Sequence, residues 1–220
     1  MKKIFNTIML ISLAAFSFYY TEKVALMMQE KDEIMLQILQ NKDKYTVKSV
    51  NAFIDGDTII PGVEGKTVNK ASSYKKMKEA NYYNESLFLY DYIKPDVSIV
   101  YNLDKVIIKG NKNKKAVALV IHNNESVKKY LLNMNYEIDY SDICLVNLKE
   151  DCSTYTYKVK PTLIMTNANF YQNIKKIESG FIIFIDSSMS IDNVKLIIDE
   201  VNFRNLKVVS LNHLIDEKND

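Results

Sequence analysis

Residues 116–124 read Ala-Val-Ala-Leu-Val-Ile-His-Asn-Asn, an unbroken apolar run followed by polar residues. A short, continuous apolar run is typical of a strand that is buried on both faces, as in a parallel sheet. The next segment, 125–134, has the apolar spacing of a helix. The sequence therefore predicts a strand, a turn and a helix here, with His122, Asn123 and Asn124 at the point where the strand ends.

The alternation of strands and helices continues to the C-terminus. The predicted strands are 143–148, one or two within 155–166, 181–185 and 206–211, and the predicted helices are 169–178, 191–203 and a terminal turn at 213–218. This order predicts an α/β domain over 111–220, whose mostly parallel sheet is covered on both faces. Asp186 directly follows the strand 181–185, so we expect it on the same edge of the sheet as His122.

The preceding region, 45–110, is richer in turn residues and predicts a small α+β region. Asp55-Gly56-Asp57 stands between two short apolar runs, which is the pattern of a tight hairpin. Residues 69–80 predict a short basic helix that Asn69 or Ser72 caps. The two aspartates of the hairpin could also begin a calcium loop, but the other ligands of such a loop are absent, which favours the turn.

The N-terminus carries a long apolar run. Lys2 and Lys3 precede residues 4–20, which contain no charged residue and end in two tyrosines. A bilayer core takes about 20 apolar residues, so this run lies at the short end of the spanning range. Basic residues on the cytoplasmic side and interfacial aromatic residues predict a signal anchor over 1–21, with the rest of the chain outside the cell membrane.

Two other interpretations of this segment stay open. A cleaved signal peptide needs small residues near its end, where Phe16, Phe18 and the tyrosines stand instead. The third interpretation is a buried helix of a soluble domain.

Residues 22–44 predict a helical stalk, because no glycine or proline interrupts them and a narrow apolar stripe is flanked by charge. The stalk could self-associate through residues 22–40 or pair with a partner. Alternatively, it lies on its own domain or on the lipid surface, and this second interpretation is the favoured one.

Composition excludes some classes of protein. The hydrophobic share is 47%, which is typical of a globular chain and not of a disordered one. The formal net charge is only +2, with acidic and basic residues spread along the chain, so no nucleic-acid partner is predicted.

Several stretches resemble anchored polysaccharide deacetylase-like proteins of low-GC Gram-positive bacteria. They are 59–65 (Ile-Ile-Pro-Gly-Val-Glu-Gly) with Val68-Asn69, 109–112 leading into 117–120, Cys152 with Tyr155-Thr156 and Lys160-Pro161, 179–183 (Ser-Gly-Phe-Ile-Ile), Ile197-Ile198 and 207–211 (Lys-Val-Val-Ser-Leu). The resemblance covers most of the chain after residue 45. It implies an incomplete or distorted (β/α) barrel, with a groove at the carboxyl ends of the strands.

The resemblance also implies a reaction for which this chain lacks residues. The family holds a divalent metal, usually through one aspartate and two histidines, and uses a further aspartate and histidine as base and acid. Here residues 122–124 stand in place of its paired aspartates, and Ile185-Asp186 in place of its catalytic histidine. The chain has two histidines, His122 and His213, so the metal-binding pair has no counterpart. The domain is also short for this family, which predicts a truncated barrel.

The candidate binding residues are therefore His122, Asn123, Asn124 and Asp186, on the rim of a groove inherited from an active ancestor. The alternative is a rebuilt zinc site from His122 and Asp186 with Asn124 as a further ligand, but a tight zinc site normally takes three or four ligands and only two of these are strong ones. No cofactor is predicted unless that alternative holds. His213 is assigned to a surface or capping role.

Cys144 and Cys152 are the only cysteines. An even number of cysteines outside the cell permits a disulfide. Cys144 falls within a predicted strand, so it could instead point inward as a small apolar residue.

These observations predict a cell-surface, deacetylase-like protein without catalytic activity that binds envelope glycan or an envelope protein. One alternative is an active, metal-dependent carbohydrate deacetylase or hydrolase with a relocated site at His122 and Asp186. The other is a structural or assembly protein that acts through its stalk helix.

Overall fold

Two compact units make up the chain in the computed structural model, which describes residues 2–138, 143–148 and 151–219, with the backbone alone for 2–7, 22 and 24–30. Unit 1 is formed by Met1–Val47 and Lys66–Tyr92, and unit 2 by Lys48–Gly65 and Ile93–Asp220. Each unit therefore contains two separate stretches of the chain.

The elements follow one another in this order. The helices are α1 (Lys2–Glu30), α2 (Glu33–Asn41), α3 (Lys70–Ala80), α4 (Glu125–Asn133), α5 (Phe170–Asn173), α6 (Ile191–Phe203) and α7 (Leu211–Ile215). The strands are β1 (Phe53–Asp55), β2 (Thr58–Ile60), β3 (Gly65–Val68), β4 (Tyr90–Ile93), β5 (Val106–Ile107), β6 (Ala116–Ile121), β7 (Ile143–Leu145), β8 (Tyr157–Val159), β9 (Leu163–Met165), β10 (Ile182–Ile185) and β11 (Lys207–Val209).

Helix α1 covers residues 2–21 of the predicted N-terminal membrane segment and continues beyond them. Within the described part of the chain, no helix is both long and apolar enough to cross a membrane. For residues 4–7 of the predicted apolar run, the structure describes the backbone and not the side chains. The membrane anchor therefore stays a prediction.

The predicted stalk is two helices, because the chain turns between Glu30 and Glu33. Asp32 causes α2 to begin here, since its Oδ1 accepts a hydrogen bond of 3.0 Å from the backbone N–H of Ile34. Its other carboxylate oxygen lies 2.9 Å from Lys78 Nζ on α3. These hydrogen bonds, with the Lys78 one the strongest, lower the pKa of Asp32 below its usual value.

The apolar stripe of α2 is used inside unit 1. Met35 and Ile38 are buried, and Ile38 packs with Val68, Met77 and Phe88. This packing agrees with the favoured interpretation that the helix lies on its own domain. Self-association through residues 22–40 stays a prediction, and it would have to use residues other than Met35 and Ile38.

Among its described residues, unit 2 contains two sheets. One has the strand order β11-β6-β10-β9 and is parallel throughout. The other has the order β1-β2-β5-β8-β7 and is parallel except for β1, which pairs with β2 as an antiparallel hairpin. The hairpin predicted at Asp55-Gly56-Asp57 is confirmed, and Gly56 adopts the positive φ of 55° that its turn requires.

Strand β6 is apolar throughout because both of its faces are buried. Val117, Leu119 and Ile121 pack in one cluster with the apolar sides of α4 and α6. Ala118 and Val120 pack in a second cluster with β2, β5, β8 and α7. Two buried faces explain an unbroken apolar run where a half-exposed strand would alternate.

The predicted boundary at residue 110 differs from the structure. Strands β1, β2 and β5 come from the predicted α+β region, but they join β8 and β7 in one sheet of unit 2. The residues 66–92 of the same region belong to unit 1. The cause is strand pairing between distant parts of the sequence. Strand β5 pairs with β2 and β8, because the backbone groups of a buried strand need hydrogen-bond partners.

Candidate functional site

A groove of about 1000 Å³ lies in unit 2, between the edge strand β7 and the carboxyl ends of β6 and β11. Strand β6 contributes Ile121 and the following His122, and the segment after β11 contributes Ser210 and Asn212. The resemblance implied a groove at the carboxyl ends of strands, and a groove is present at that edge.

The opposite side of the groove comes from α4, from β7 and from the segments beside them. Its side chains are Lys128, Leu132, Tyr136, Glu137, Ile138 and Asn135 from α4 and the segment after it, and Ile143, Leu145, Leu148 and Tyr155 from β7 and the following loop. None of these was predicted as a site residue. The prediction considered only residues that directly follow strands, so it missed residues on a helix or within an edge strand. Tyr155 does lie in one of the stretches that carry the resemblance.

His122 is the predicted site residue that lines the groove. Its ring stacks on Phe184, with ring centroids 5.8 Å apart and an angle of 30° between the ring planes. Its backbone N–H bonds to the carbonyl of Ile185 at 3.3 Å, which ties the end of β6 to the end of β10. His122 Nε2 lies 3.0 Å from Asn123 Nδ2, so it accepts that hydrogen bond when the ring proton is on Nδ1.

Asp186 lies beside His122, as predicted, because β6 and β10 are parallel neighbours with Ile121 opposite Ile185. The Asp186 carboxylate accepts a hydrogen bond of 2.9 Å from the backbone N–H of Ser188. Hydrogen bonds from Ser188 lower the pKa of Asp186 below its usual value, and the nearby His122 adds a smaller effect. Asp186 does not line the groove itself.

Asn124 has a structural role. Its Oδ1 accepts a hydrogen bond of 3.1 Å from the N–H of Val127 and so caps α4. Its Nδ2 donates to the carbonyls of Ser187 and Met189, at 3.1 and 2.9 Å. Asn124 therefore joins the start of α4 to the loop after β10, and its amide is occupied by these bonds.

Asn123 adopts a φ of 49°, in the left-handed region that asparagine and glycine tolerate best. The tight turn between β6 and α4 requires this conformation. Asn123 thus shapes the turn and holds the ring of His122, and it is not among the groove residues.

Cys144 and Cys152 form a disulfide, with their Cα atoms 5.6 Å apart. Cys144 is completely buried in β7, as its apolar neighbours predicted, and it is bonded as well. The bridge closes the loop that contains Leu148, and Tyr155 follows this loop in the sequence. It therefore fastens one wall of the groove to the sheet.

The described residues do not fit the divalent metal that the family resemblance implies. Among them, no group of three or more His, Cys, Asp or Glu side chains could hold a metal ion. His122 and Asp186 are neighbours, but the amide of Asn124 is engaged by three backbone groups, and two ligands are too few for zinc. Ile185, in place of the family's catalytic histidine, is completely buried.

Comparison with known proteins gives the fold. No family model matches the chain. Over 105 aligned positions, this chain is 38% identical to the uncharacterized protein YlxY of Bacillus subtilis. These positions make up 46% of this chain and 33% of that protein. The match thus spans about a third of the length of that relative.

Solved structures match over most of the chain. A crystal structure of wild-type BA3943, described as a CE4 family pseudoenzyme from Bacillus anthracis, has a TM-score of 0.59 at 15% identity and covers 86% of this chain and 97% of its own. A mutant of it reaches 0.60 at 15% identity. A second mutant, described as having restored enzymatic activity, has a TM-score of 0.56 at 16% identity; both alignments cover 86% of this chain and 100% of the other.

This chain has the fold of the CE4 family pseudoenzymes. That result confirms the deacetylase-like α/β fold that the resemblance implied. The anchor and the truncation of the barrel stay predictions.

Proposed function

We propose that this chain is a cell-surface protein with a deacetylase-like fold that binds envelope glycan in the groove and does not hydrolyse it. The observation that carries the proposal is a groove at the expected edge of the sheet that His122 lines, with no set of metal ligands among the described residues. Binding needs only such a shaped surface, whereas amide hydrolysis by this family needs a metal, a base and an acid together.

The chemistry of the groove supports a saccharide. Tyr136 and Tyr155 supply aromatic surface with a polar tip, and His122, Ser210 and Asn212 supply hydrogen-bonding groups. A few polar groups in a largely apolar cleft is the usual composition of small-ligand sites. The solved neighbours are described as pseudoenzymes, so proteins of this fold exist for which catalysis is not the assigned role.

Titration of the full chain in lipid nanodiscs with N-acetylglucosamine oligomers, followed by calorimetry, tests the proposal. We expect binding by the wild type and at least a tenfold loss of affinity for Tyr155→Ala, which is about 1.4 kcal/mol. The matched control is Tyr171→Ala, since Tyr171 is 76% exposed on α5 and does not line the groove. A well-folded wild type without measurable binding rejects glycan and leaves an envelope protein as the partner.

The cell-surface location has its own test. Protease added to intact, wall-stripped cells should digest the chain beyond residue 30, and carbonate washing should leave the undigested protein with the membranes, because a spanning helix is not held by charge. Complete protection from external protease contradicts this orientation. A mature protein that begins near residue 21 would instead indicate a cleaved signal.

A further inference from the structure

The floor of the groove is apolar to an extent that a bare saccharide does not require. It is formed by Ile121, Ile138, Ile143 and Leu145, whose exposed fractions are 8%, 8%, 3% and 3%. Sugar hydroxyl groups pressed against such a floor lose hydrogen bonds to water and gain none in return. Hydrocarbon loses nothing there and is released from water.

Two exposed leucines also line the groove. Leu132 on α4 is 51% exposed and Leu148 in the loop after β7 is 40% exposed, and both line the same cavity as the floor. A single exposed leucine is ordinary on a protein surface. Exposed leucines that line one cavity together with buried apolar side chains are a different case, because apolar side chains grouped in one cleft mark binding sites.

The hydrogen-bonding groups of the groove come from different elements. His122, Ser210 and Asn212 follow β6 and β11, while the apolar side chains come mainly from α4, from the segment after it and from β7 with its loop. Lys128 adds a cation from α4. The lining therefore offers polar groups and hydrocarbon from separate parts of the fold.

We infer that the ligand of the groove is an amphiphilic saccharide, in which a sugar head carries a hydrocarbon chain, as in lipid-linked envelope sugars. The inference rests on the proposed function and names its ligand class. The sugar bonds to the polar side chains, and the hydrocarbon chain lies on the aliphatic floor and passes between Leu132 and Leu148. A cavity of about 1000 Å³ is at the upper end of the range for small-ligand sites, which leaves room for both parts.

The test compares two glycosides that have the same sugar and differ in the length of their alkyl chain. Methyl and octyl N-acetylglucosaminide, the latter below its micellar concentration, are titrated into the full chain in nanodiscs, with empty nanodiscs as the blank. We expect the octyl glycoside to bind at least tenfold more tightly. The double variant Leu132→Ser/Leu148→Ser should bring the two affinities together.

The matched control is Leu196→Ser/Phe203→Ser, which removes two exposed apolar side chains of α6 outside the groove, 44% and 83% exposed. It should keep the preference for the octyl glycoside, and thermal unfolding checks that both double variants are folded. Equal affinities of the wild type for both glycosides overturn the inference and leave glycan binding in place. Binding of neither overturns both proposals, and an octyl preference that survives in the Leu132→Ser/Leu148→Ser variant overturns the inference alone.

Discussion

Two regions of unit 2 use polar side chains in different ways. Near the C-terminus, the Glu217 carboxylate accepts hydrogen bonds from the backbone N–H groups of Gly62 and Ile99, at 2.8 and 3.1 Å, and from the hydroxyl of Ser98. We call Glu217 with these partners the C-terminal latch. Beside it, Lys114 donates to the carbonyl of His213 at 2.6 Å and to the carboxylate of Asp216.

The groove has the opposite character. Lys128 and Asn212 are exposed and His122 is half-buried, so water or a ligand reaches them. The latch satisfies its polar atoms internally, and across the described residues no buried side-chain nitrogen or oxygen lacks a hydrogen-bond partner. Polar groups that are satisfied internally hold the fold, whereas solvent-facing polar groups in a cleft are available for binding.

The latch should give the largest effect on stability. Glu217→Ala leaves two backbone N–H groups and a hydroxyl without their acceptor, so we expect the free energy of unfolding to fall by about 3 kcal/mol. Urea unfolding followed by circular dichroism measures this change. Glu137→Ala, which removes an exposed carboxylate, should change stability by less than about 0.5 kcal/mol. Equal effects of the two substitutions would show that the latch does not hold the fold.

The disulfide shares one property with each region. Cys144 is buried, as groups that hold the fold are, and the bridge also fastens a wall of the groove. Cys144→Ala/Cys152→Ala should lower the free energy of unfolding by about 2.5 kcal/mol, because the short loop is no longer closed in the unfolded chain. Reduction of the wild type with a dithiol should produce a similar loss. If the variant unfolds at the same urea concentration as the oxidised wild type, the bridge contributes no stability.

Two adjacent asparagines near the groove have different structural roles. Asn124→Ala removes a helix cap and two bonds to carbonyls, so it should cost about 1–2 kcal/mol. Asn123→Gly should change stability by less than about 0.5 kcal/mol, because glycine adopts the same positive φ without strain. Urea unfolding of both variants measures the difference. A reversed order would mean that Asn123, and not Asn124, holds the turn together.

The smallest expected effect concerns catalysis. Asn123→Asp or Asp186→His alone should release no acetate from an N-acetylglucosamine oligomer, even with excess zinc or cobalt. The acid, the base and the metal act as a unit, and each single substitution leaves a metal site without its histidine pair. Metal-dependent turnover by either variant would show that the metal ligands stand at other positions of this chain and that the site is nearly complete.

Local patterns in the sequence determined much of the fold. The strand Ala116–Ile121 and the helix Ile191–Phe203 occur over the residues predicted, and the hairpin around Gly56 is present. These elements depend on signals that neighbouring residues carry: an unbroken apolar run, apolar spacing of a helix, and a residue that tolerates positive φ. The shared edge of His122 and Asp186 followed too, because parallel strands end at the same side of a sheet.

The groove and the roles of the polar residues around it depend on tertiary packing, which the sequence patterns did not predict. The lining of the groove joins α4, the edge strand β7 and the loop that the disulfide closes to Ser210 and Asn212, which lie more than 50 residues further along the chain. The same holds for Asn124, whose spacing predicted a rim residue but whose amide is used by Ser187 and Met189. Side-chain partners and cavities arise from long-range packing, and a local pattern carries no information about which distant backbone group will take up a given amide.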